Sequence, residues 1–451
     1  MESIRVAAHK LPSSVLVPAL RYTFSLPAGP ARTILDDVTK PRRRHRPWFK
    51  VVHSKGNWHG AWIGEGMQTK TEPEIHQLCK DADIVLFNVH GGGFRLGKPT
   101  MYMECYISWL EALKAFGLKV LMMSVHYGLA PEHKYPEPLE DVVRAYRHLI
   151  WDMGITSQKV VMTGDSAGAS LLLETLLLSN DPENFKLAKS SKTTPKQFVE
   201  SALPRPAGIV AVSPIMTDVT TSNSWKENIK YDFISQHTAD VIKQDYIPEE
   251  LLAKGDGNRF MRIADMDSGF KSWMPPHMLC YLGGKEVLLD DGREFALKVQ
   301  NEDINVTLVI EPDCIHDWVC VRETVRDKEI IRKADQTFAH FINEIVQINI
   351  LKRNQYLSPM VEELIFIPTE LDPVIPEDEE EEPVAESALN ELSESDELFS
   401  DSYHEDSGSM TTITSPARTS IDDKSFYWSD PDEYLERLEE RLKTMRSEVS
   451  L

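Results

Sequence analysis

The feature that most constrains the fold of this chain is a glycine-rich turn, Gly164-Asp-Ser-Ala-Gly168. An apolar run at 159–163 precedes it and predicts a buried strand, while the run AGASLLLETLLL begins inside the turn and predicts a helix. Small residues are needed where a strand passes directly into a helix, because the turn is sharp and strained. Such a turn holds the Ser166 hydroxyl above the edge of a sheet. Ser166 is therefore a candidate nucleophile, and a serine without a chemical role is the alternative.

Further apolar runs alternate with helical stretches along the middle of the chain. They lie at 84–89, 120–125, 209–212, 278–282 and 306–310. Continuous apolar strands that alternate with helices predict an α/β fold with a mostly parallel sheet and helices on both faces. In such sheets the functional residues lie beyond the carboxyl ends of the strands.

A second glycine-rich stretch, His90-Gly-Gly-Gly-Phe94, follows the predicted strand at 84–89. Glycines at a strand end let backbone N–H groups approach an oxygen that develops negative charge, which is the task of an oxyanion hole. The expected donors are the amides of Gly91, Gly92 or Gly93, together with the amide of Ala167. A flexible loop is the alternative. A phosphate-binding loop is disfavoured because no Lys-Ser or Lys-Thr follows the glycines.

These two motifs together resemble the hormone-sensitive lipase family of α/β-hydrolases. A third stretch, Tyr127-Gly-Leu-Ala-Pro-Glu132, is similar to the Y-R-L-A-P-E signature of that family, with Gly128 in place of the usual arginine. The resemblance covers about residues 80–345. It implies an α/β-hydrolase fold with a cap, and a serine carboxylesterase or lipase that forms an acyl-enzyme without cofactor or metal. Amide or acetyl hydrolysis, or non-catalytic ligand binding, are the alternatives.

A serine nucleophile needs a base, and His316 is the best candidate. In α/β-hydrolases the chain order is serine, acid, histidine, and His316 follows the predicted strand at 306–310 near the end of the core. The family has its base in a similar loop, and gives the histidine of the glycine loop, here His90, a structural role. His316 would take the Ser166 proton and return it to the leaving alcohol.

The third triad member follows the predicted strand at 278–282. The family usually has D-x-L-x-D there, with its first aspartate in the triad, and by that register Glu286 takes the role while Asp290 matches the second aspartate. The acid would hold the imidazole in the required tautomer and stabilise its cation. Asp290 or Asp291 as the triad acid is one alternative, and solvated loop acids without a role are another.

The chain divides into four predicted regions. They are an irregular N-terminal cap or extension (1–75), the catalytic domain (76–350, with a cap insertion at about 214–275), an acidic disordered segment (351–428) and an amphipathic C-terminal helix (429–451). The formal net charge is −22, and between residues 354 and 417 eighteen acids occur without a Lys or Arg. Such a segment buries too little apolar surface to fold alone.

Charge and composition also restrict partners and location. An acidic chain is a poor partner for nucleic acid, because a phosphate backbone needs basic residues. An apolar cap suits small lipophilic esters, and the C-terminal helix offers a possible contact with a membrane surface or a protein. The five cysteines have no zinc-like spacing, and the N-terminal apolar stretch is too short to span a membrane and resembles no signal peptide. We therefore expect an intracellular, cytoplasmic protein.

Overall fold

The structure is a computed structural model. It describes residues 12–53, 58–180, 203–253 and 263–365, without the side chains of residues 13, 253 and 354–365. The predicted acidic segment and C-terminal helix lie outside the described residues, apart from the helical backbone up to residue 365. The described residues up to Leu351 belong to one compact unit, and the described residues 352–365 fall outside it.

Eight strands form one sheet. They are β1 (Phe49–His53), β2 (His59–Ile63), β3 (Ile84–Val89), β4 (Val120–His126), β5 (Val160–Asp165), β6 (Gly208–Val212), β7 (His277–Gly283) and β8 (Asn305–Glu311). Their order is β1-β2-β4-β3-β5-β6-β7-β8. The pairs β1–β2 and β2–β4 are antiparallel, and all the others are parallel. The predicted mostly parallel sheet is confirmed.

Twelve α-helices occur in the described ranges. They are α1 (Ser13–Ser25), α2 (Ala28–Val38), α3 (Glu72–Asp81), α4 (Met103–Ala115), α5 (Glu137–Arg147), α6 (Ser166–Asn180), α7 (Asn223–Asn228), α8 (Gln236–Tyr246), α9 (Glu249–Ala253), α10 (Phe270–Trp273), α11 (Leu289–Gln300) and α12 (Lys328–Ile365). None of these described helices is long and apolar enough to cross a membrane. All five cysteines are buried and form no disulfide.

The central strands are apolar at every position because both faces of the sheet are covered. In β3, Val85 and Phe87 pack into one hydrophobic cluster, whereas Ile84 and Leu86 pack into another. Successive side chains of a strand point to opposite faces, so a sheet covered on both sides requires apolar residues throughout. Helix α6 is likewise buried on all sides from Ser166 to Ser179.

The N-terminal region is more ordered than the sequence predicted. Residues 1–75 were expected to be irregular, but they contain α1, α2 and the first two strands. Each of these strands has only five residues, and β1 is partly exposed, so neither forms a continuous apolar run. Gly60 in β2 allows a close approach to β4, since a Cβ atom there would lie 2.1 Å from the Ser124 carbonyl oxygen.

Candidate active site

The turn between β5 and α6 places Ser166 at the carboxyl end of a central strand. Its φ angle is +45°, in the left-handed region that side chains rarely adopt. The flanking glycines are required by space: a Cβ atom on Gly168 would lie 2.1 Å from the Val89 carbonyl oxygen, and one on Gly164 would lie 2.8 Å from Leu172 Cδ1. The local sequence therefore holds Ser166 in a strained, buried position at the end of β5. A hydroxyl at such a turn can be presented to a substrate.

His316 lies in the loop after β8 and reaches the same point. Its Nε2 atom lies 2.9 Å from the Oγ atom of Ser166. Both residues are buried, at 1% and 4% exposure, and the ring of Phe233 packs edge-on against the imidazole with centroids 5.4 Å apart. A serine hydroxyl in hydrogen-bond contact with a desolvated imidazole has the geometry needed for proton transfer.

Glu286 lies in the turn after β7 and is fully buried. Its Oε2 atom accepts hydrogen bonds from Ser213 Oγ at 2.6 Å and from the Gly283 amide at 3.0 Å. Neither Glu286 Oε1 nor His316 Nδ1 has a hydrogen-bond partner in the described part of the chain, although both atoms are buried. A carboxylate oxygen and an imidazole nitrogen that both lack a partner are chemically complementary.

The two alternative triad acids, Asp290 and Asp291, lie in environments that differ from that of Glu286. Asp290 accepts hydrogen bonds from the Ser224 amide at 2.8 Å and from Arg293 Nη2 at 2.9 Å, so it holds the start of α11 in place. Burial and the charges of Asp290 and Glu294 raise the pKa of Asp291 to about 7. Among the described residues, no hydrogen bond or ion pair joins His316 to Glu286, Asp290 or Asp291, but of these three acids only Glu286 has a charge that acts on the pKa of His316.

Two further acids near His316 were missed by the sequence analysis. Asp232, from the loop between α7 and α8, is fully buried and accepts a hydrogen bond from the Val287 amide at 2.8 Å. Asp317 follows His316, and its Oδ2 atom lies 3.3 Å from His316 Nε2. Asp317 could have been noticed from its position next to the base. Asp232 could not, because nothing in its local sequence distinguishes it from a surface acid.

These carboxylates determine the protonation of the histidine. Burial by itself lowers the pKa of His316, but the charges of Asp317, Asp232 and Glu286 outweigh it and raise that pKa above the ordinary value. Burial also raises the pKa of Glu286, while the His316 charge and the hydrogen bond from Ser213 lower it in part. The neighbouring acids therefore stabilise the protonated form of His316 relative to its neutral form.

The glycine loop after β3 lies beside the serine. Gly92, with φ +105°, and Gly93, with φ +61°, line the same cavity as Ser166. The Gly91 amide differs from expectation, because it donates a hydrogen bond to Asp165 Oδ1 at 3.0 Å. This corrects the assignment of Gly91 as an oxyanion donor, since its N–H group is already bound. Sequence reasoning could not foresee that the acid beside Ser166 would bind this amide.

Two cavities lie next to each other here, and Ser166 and His316 line the smaller one but not the larger one. The first, of about 190 Å³, is lined by the side chains and glycines of the site together with Trp225, Phe233, Ile242 and Leu288. The second, of about 210 Å³, is mainly apolar and is lined from α1 and α2 by Leu16, Leu20, Phe24, Ile34, Leu35 and Val38. Phe24, Phe233 and Asp317 border both cavities. In the ranges that the structure describes, no group of three or more His, Cys, Asp or Glu residues could hold a metal ion.

Comparison with known proteins identifies the family of this site. Residues 86–320, more than half of the chain, match a family described as alpha/beta hydrolase fold. This chain belongs to that family. An esterase of Acinetobacter venetianus is 29% identical over 227 residues, which is 50% of this chain and 64% of the esterase. This chain therefore spans less than two thirds of the length of that esterase.

Other relatives confirm the resemblance to hormone-sensitive lipases. The hormone-sensitive lipase of Mus musculus is 29% identical over 163 residues, 35% of this chain and 20% of the lipase. The crystal structure of a hormone-sensitive lipase from a metagenome library has a TM-score of 0.55 and 20% identity, and covers 75% of this chain and 99% of that one. At that identity the structural likeness shows the shared fold alone. The names of the relatives show that the family includes esterases and lipases.

Proposed function

We propose that this protein is a serine hydrolase that cleaves carboxylic esters through an acyl-enzyme. The observation that carries the proposal is the 2.9 Å contact between Ser166 Oγ and His316 Nε2 at the carboxyl ends of the parallel strands. Ligand binding alone does not require a strained serine in contact with a buried histidine, whereas nucleophilic catalysis does. The geometry therefore favours an enzyme over a ligand-binding homologue.

The proposed reaction has two halves. Ser166 Oγ attacks the ester carbonyl carbon while its proton passes to His316 Nε2, and the imidazolium then gives that proton to the leaving alkoxide as the C–O bond breaks. In the second half, His316 takes a proton from water while the water oxygen bonds to the acyl carbon, the bond between that carbon and Ser166 Oγ breaks, and the proton returns to Ser166 Oγ. The products are an alcohol and a carboxylic acid.

Glu286 is the proposed third member of the triad. Its carboxylate is held by Ser213 and by the Gly283 amide, and its free Oε1 suits the free Nδ1–H of His316. A hydrogen bond between these two atoms would fix the tautomer with the lone pair on Nε2 and stabilise the imidazolium. Asp232, which also raises the pKa of His316, is bound to the backbone and would add charge without orienting the ring.

The oxyanion would be held by the amides of Gly92, Gly93 and Ala167. Donors preorganised in a dry site stabilise the charge that develops on the carbonyl oxygen in the transition state. The first two residues line the cavity next to Ser166, and Ala167 is the second residue of α6. Gly91 is left out because its amide is bound to Asp165.

The second cavity suggests a lipophilic substrate. Its walls in α1 and α2 are apolar, and it joins the catalytic cavity at Phe24 and Phe233. An ester whose acyl or alcohol part is apolar would bury that part there and gain roughly 25 cal/mol per Å² of apolar surface removed from water. Small lipophilic esters are therefore the proposed substrates.

Ester turnover by the purified protein tests this function. We expect hydrolysis of p-nitrophenyl acetate, butyrate and octanoate, and loss of that activity in Ser166→Ala. Ser272→Ala is the matched control, because Ser272 is exposed and lies on α10 away from both cavities. Absence of turnover by the wild-type protein on all three esters, or equal turnover by the folded Ser166→Ala variant, would contradict the proposal.

A further inference from the structure

Helix α1 turns an uncharged face to solvent. Five exposed residues recur at helical spacing on this face, namely Ser14, Val15, Pro18, Ala19 and Tyr22. Tyr22 is 64% exposed and Val15 is 48% exposed. The charged residue of α1, Arg21, is held elsewhere, because its guanidinium donates to the Ile229 carbonyl oxygen at 2.8 Å. Single exposed apolar residues are common, but a contiguous face of them is typical of an interaction site.

A basic segment, residues 40–46, follows helix α2. Its cations are Lys40, Arg42, Arg43, Arg44 and Arg46. Within the described ranges their ion pairs go to one acid, Glu104, which Arg42 and Arg44 share with His45. The side chains of Lys40, Arg43 and Arg46 are exposed and form no ion pair with another described residue. The basic segment therefore presents an excess of positive charge to solvent.

The larger cavity opens between the uncharged face of α1 and the basic segment. Ala19 of α1, Ile34 of α2 and Lys40 are each exposed, and each also lines this cavity. Its interior is mainly apolar, and it borders the catalytic cavity at Phe24 and Phe233. The opening thus has apolar residues on one side, cations on the other, and an apolar interior next to the proposed site.

This combination distinguishes between kinds of partner. Nucleic acid would use the cations but not the apolar face. A second copy related by a two-fold axis would place the same patch on both sides of the interface, so the two basic segments would repel each other. An anionic lipid bilayer has negative charge at its headgroups and hydrocarbon beneath them. Both features of the surface match these two layers.

We propose that the uncharged face of α1 and the basic segment together dock this protein on an anionic lipid bilayer, with the larger cavity open to the lipid. The cations contact the headgroups, while Val15 and Tyr22 enter the boundary between headgroups and acyl chains. This orientation gives a lipophilic molecule a path from the bilayer into the cavity. Docking does not require the proposed ester chemistry, so Ser166→Ala should bind lipid as the wild-type protein does.

Co-sedimentation of the full chain with vesicles tests this surface. The vesicles contain phosphatidylcholine alone, or equal parts of phosphatidylcholine and phosphatidylserine. We expect binding to the mixed vesicles, weaker binding to phosphatidylcholine alone, and a decrease as added salt screens the charges. Arg43→Glu/Arg46→Glu should weaken binding to the mixed vesicles by about tenfold or more, because two cations near the headgroups are reversed. Val15→Ser/Tyr22→Ser should weaken it by about fivefold or more, because apolar contact is lost.

Lys80→Glu/Lys119→Glu is the matched control for the reversal of charge. Both lysines are exposed and precede β3 and β4, so they lie at the edge of the sheet opposite the site. This variant should bind the mixed vesicles as the wild-type protein does. Thermal melting confirms that each variant is folded, and where a double variant does not fold, its two single substitutions are measured instead.

Several results would overturn the docking surface. They are a wild-type protein that does not bind the mixed vesicles, a control that loses as much binding as Arg43→Glu/Arg46→Glu, and unchanged binding in either surface variant. Unchanged binding would place the contact elsewhere, for example in the predicted helix at 429–451. A stable dimer without vesicles that Val15→Ser/Tyr22→Ser dissociates would show that a second copy covers the surface. Loss of ester turnover in Ser166→Ala with intact vesicle binding leaves both proposals standing, so each can fail separately.

Discussion

The Oγ atom of Ser166 lies 2.9 Å from the Nε2 atom of His316, although 150 positions of the chain separate the two residues. Strands β6 and β7 lie between β5, which ends at the serine, and β8, which precedes the histidine. The contact exists because parallel strands end at one edge of the sheet. A serine hydroxyl and an imidazole are therefore in hydrogen-bond contact across two intervening strands of the sheet.

The serine and histidine should act as one unit. We expect Ser166→Ala and His316→Ala each to lower kcat for p-nitrophenyl esters on the order of a thousandfold or more, because either change removes the covalent route. The double variant should be no worse than the single ones. Steady-state kinetics on all three proteins, with thermal melting to confirm folding, gives the test. A double variant far slower than either single one would mean that His316 is not the base.

The triad acid can be identified by isosteric substitutions. Glu286→Gln should lower kcat by up to about 10⁴-fold, because an amide in place of the carboxylate favours the wrong imidazole tautomer. Asp290→Asn is the control, since that carboxylate binds Ser224 and Arg293 instead, and its effect on kcat should be small. Ester turnover at saturating substrate measures both. A larger loss in Asp290→Asn would transfer the role to that residue.

Activity should increase with pH. The base must be neutral to accept a proton, and the surrounding carboxylates raise the pKa of His316 above 6.5. Activity is then lost as the pH falls through that raised pKa, so the acidic limb of kcat/KM should lie above about 6.5. Asp232→Asn removes one of the carboxylates and should move the limb to lower pH. A wild-type limb at or below 6.5, measured with p-nitrophenyl acetate, would contradict this.

Gly92 should be the least replaceable residue of the glycine loop. Its φ angle is +105°, and a Cβ atom would lie 2.4 Å from the Leu96 carbonyl oxygen. Gly92→Ala must therefore shift the loop and its amide, with an expected loss of about 10²–10³-fold in kcat. At Gly93 a Cβ atom would meet only the side chain of Ile242, so Gly93→Ala should cost less. Comparing kcat for the two variants tests the order.

Ending the chain at residue 366 should leave kcat and the melting temperature nearly unchanged. The acidic segment to residue 428 is poor in apolar side chains and would be repelled by an acidic body, and the predicted amphipathic helix at 429–451 is expected to contact a membrane surface or a protein. Melting curves and ester turnover of the truncated and full-length proteins provide the comparison. A decrease of several degrees, or a clear loss of turnover, would mean that the C-terminal segment is part of the folded enzyme.

Much of the fold could be predicted from the sequence because its central strands are continuous apolar runs. The predicted strands at 84–89, 120–125 and 278–282 agree with β3, β4 and β7 to within one residue at either end. Strands β1 and β2 escaped detection because they are short and lie at or next to an edge of the sheet. Strand β1 pairs with β2, and β2 pairs with the distant strand β4, so their place in the sheet does not follow from local periodicity.

The site was predictable where chemistry is tied to a local motif. Ser166 and the glycine loop could be located because a sharp turn and a close backbone approach demand glycine. The binding of the Gly91 amide by Asp165, and the approach of Asp232 to His316, depend on side-chain directions between segments far apart in the chain. No local pattern encodes such contacts, so only the folded structure reveals them.

Covalent labelling by a fluorophosphonate tests the central claim most directly, because this reagent reacts with a serine that an adjacent base activates. The wild-type protein, Ser166→Ala and Ser272→Ala are each treated with the reagent, and peptide mass spectrometry then locates the adduct. We predict one adduct on Ser166 in the wild-type protein and in Ser272→Ala, and none in Ser166→Ala. A folded wild-type protein that remains unlabelled, or an adduct that persists in Ser166→Ala, would contradict the account.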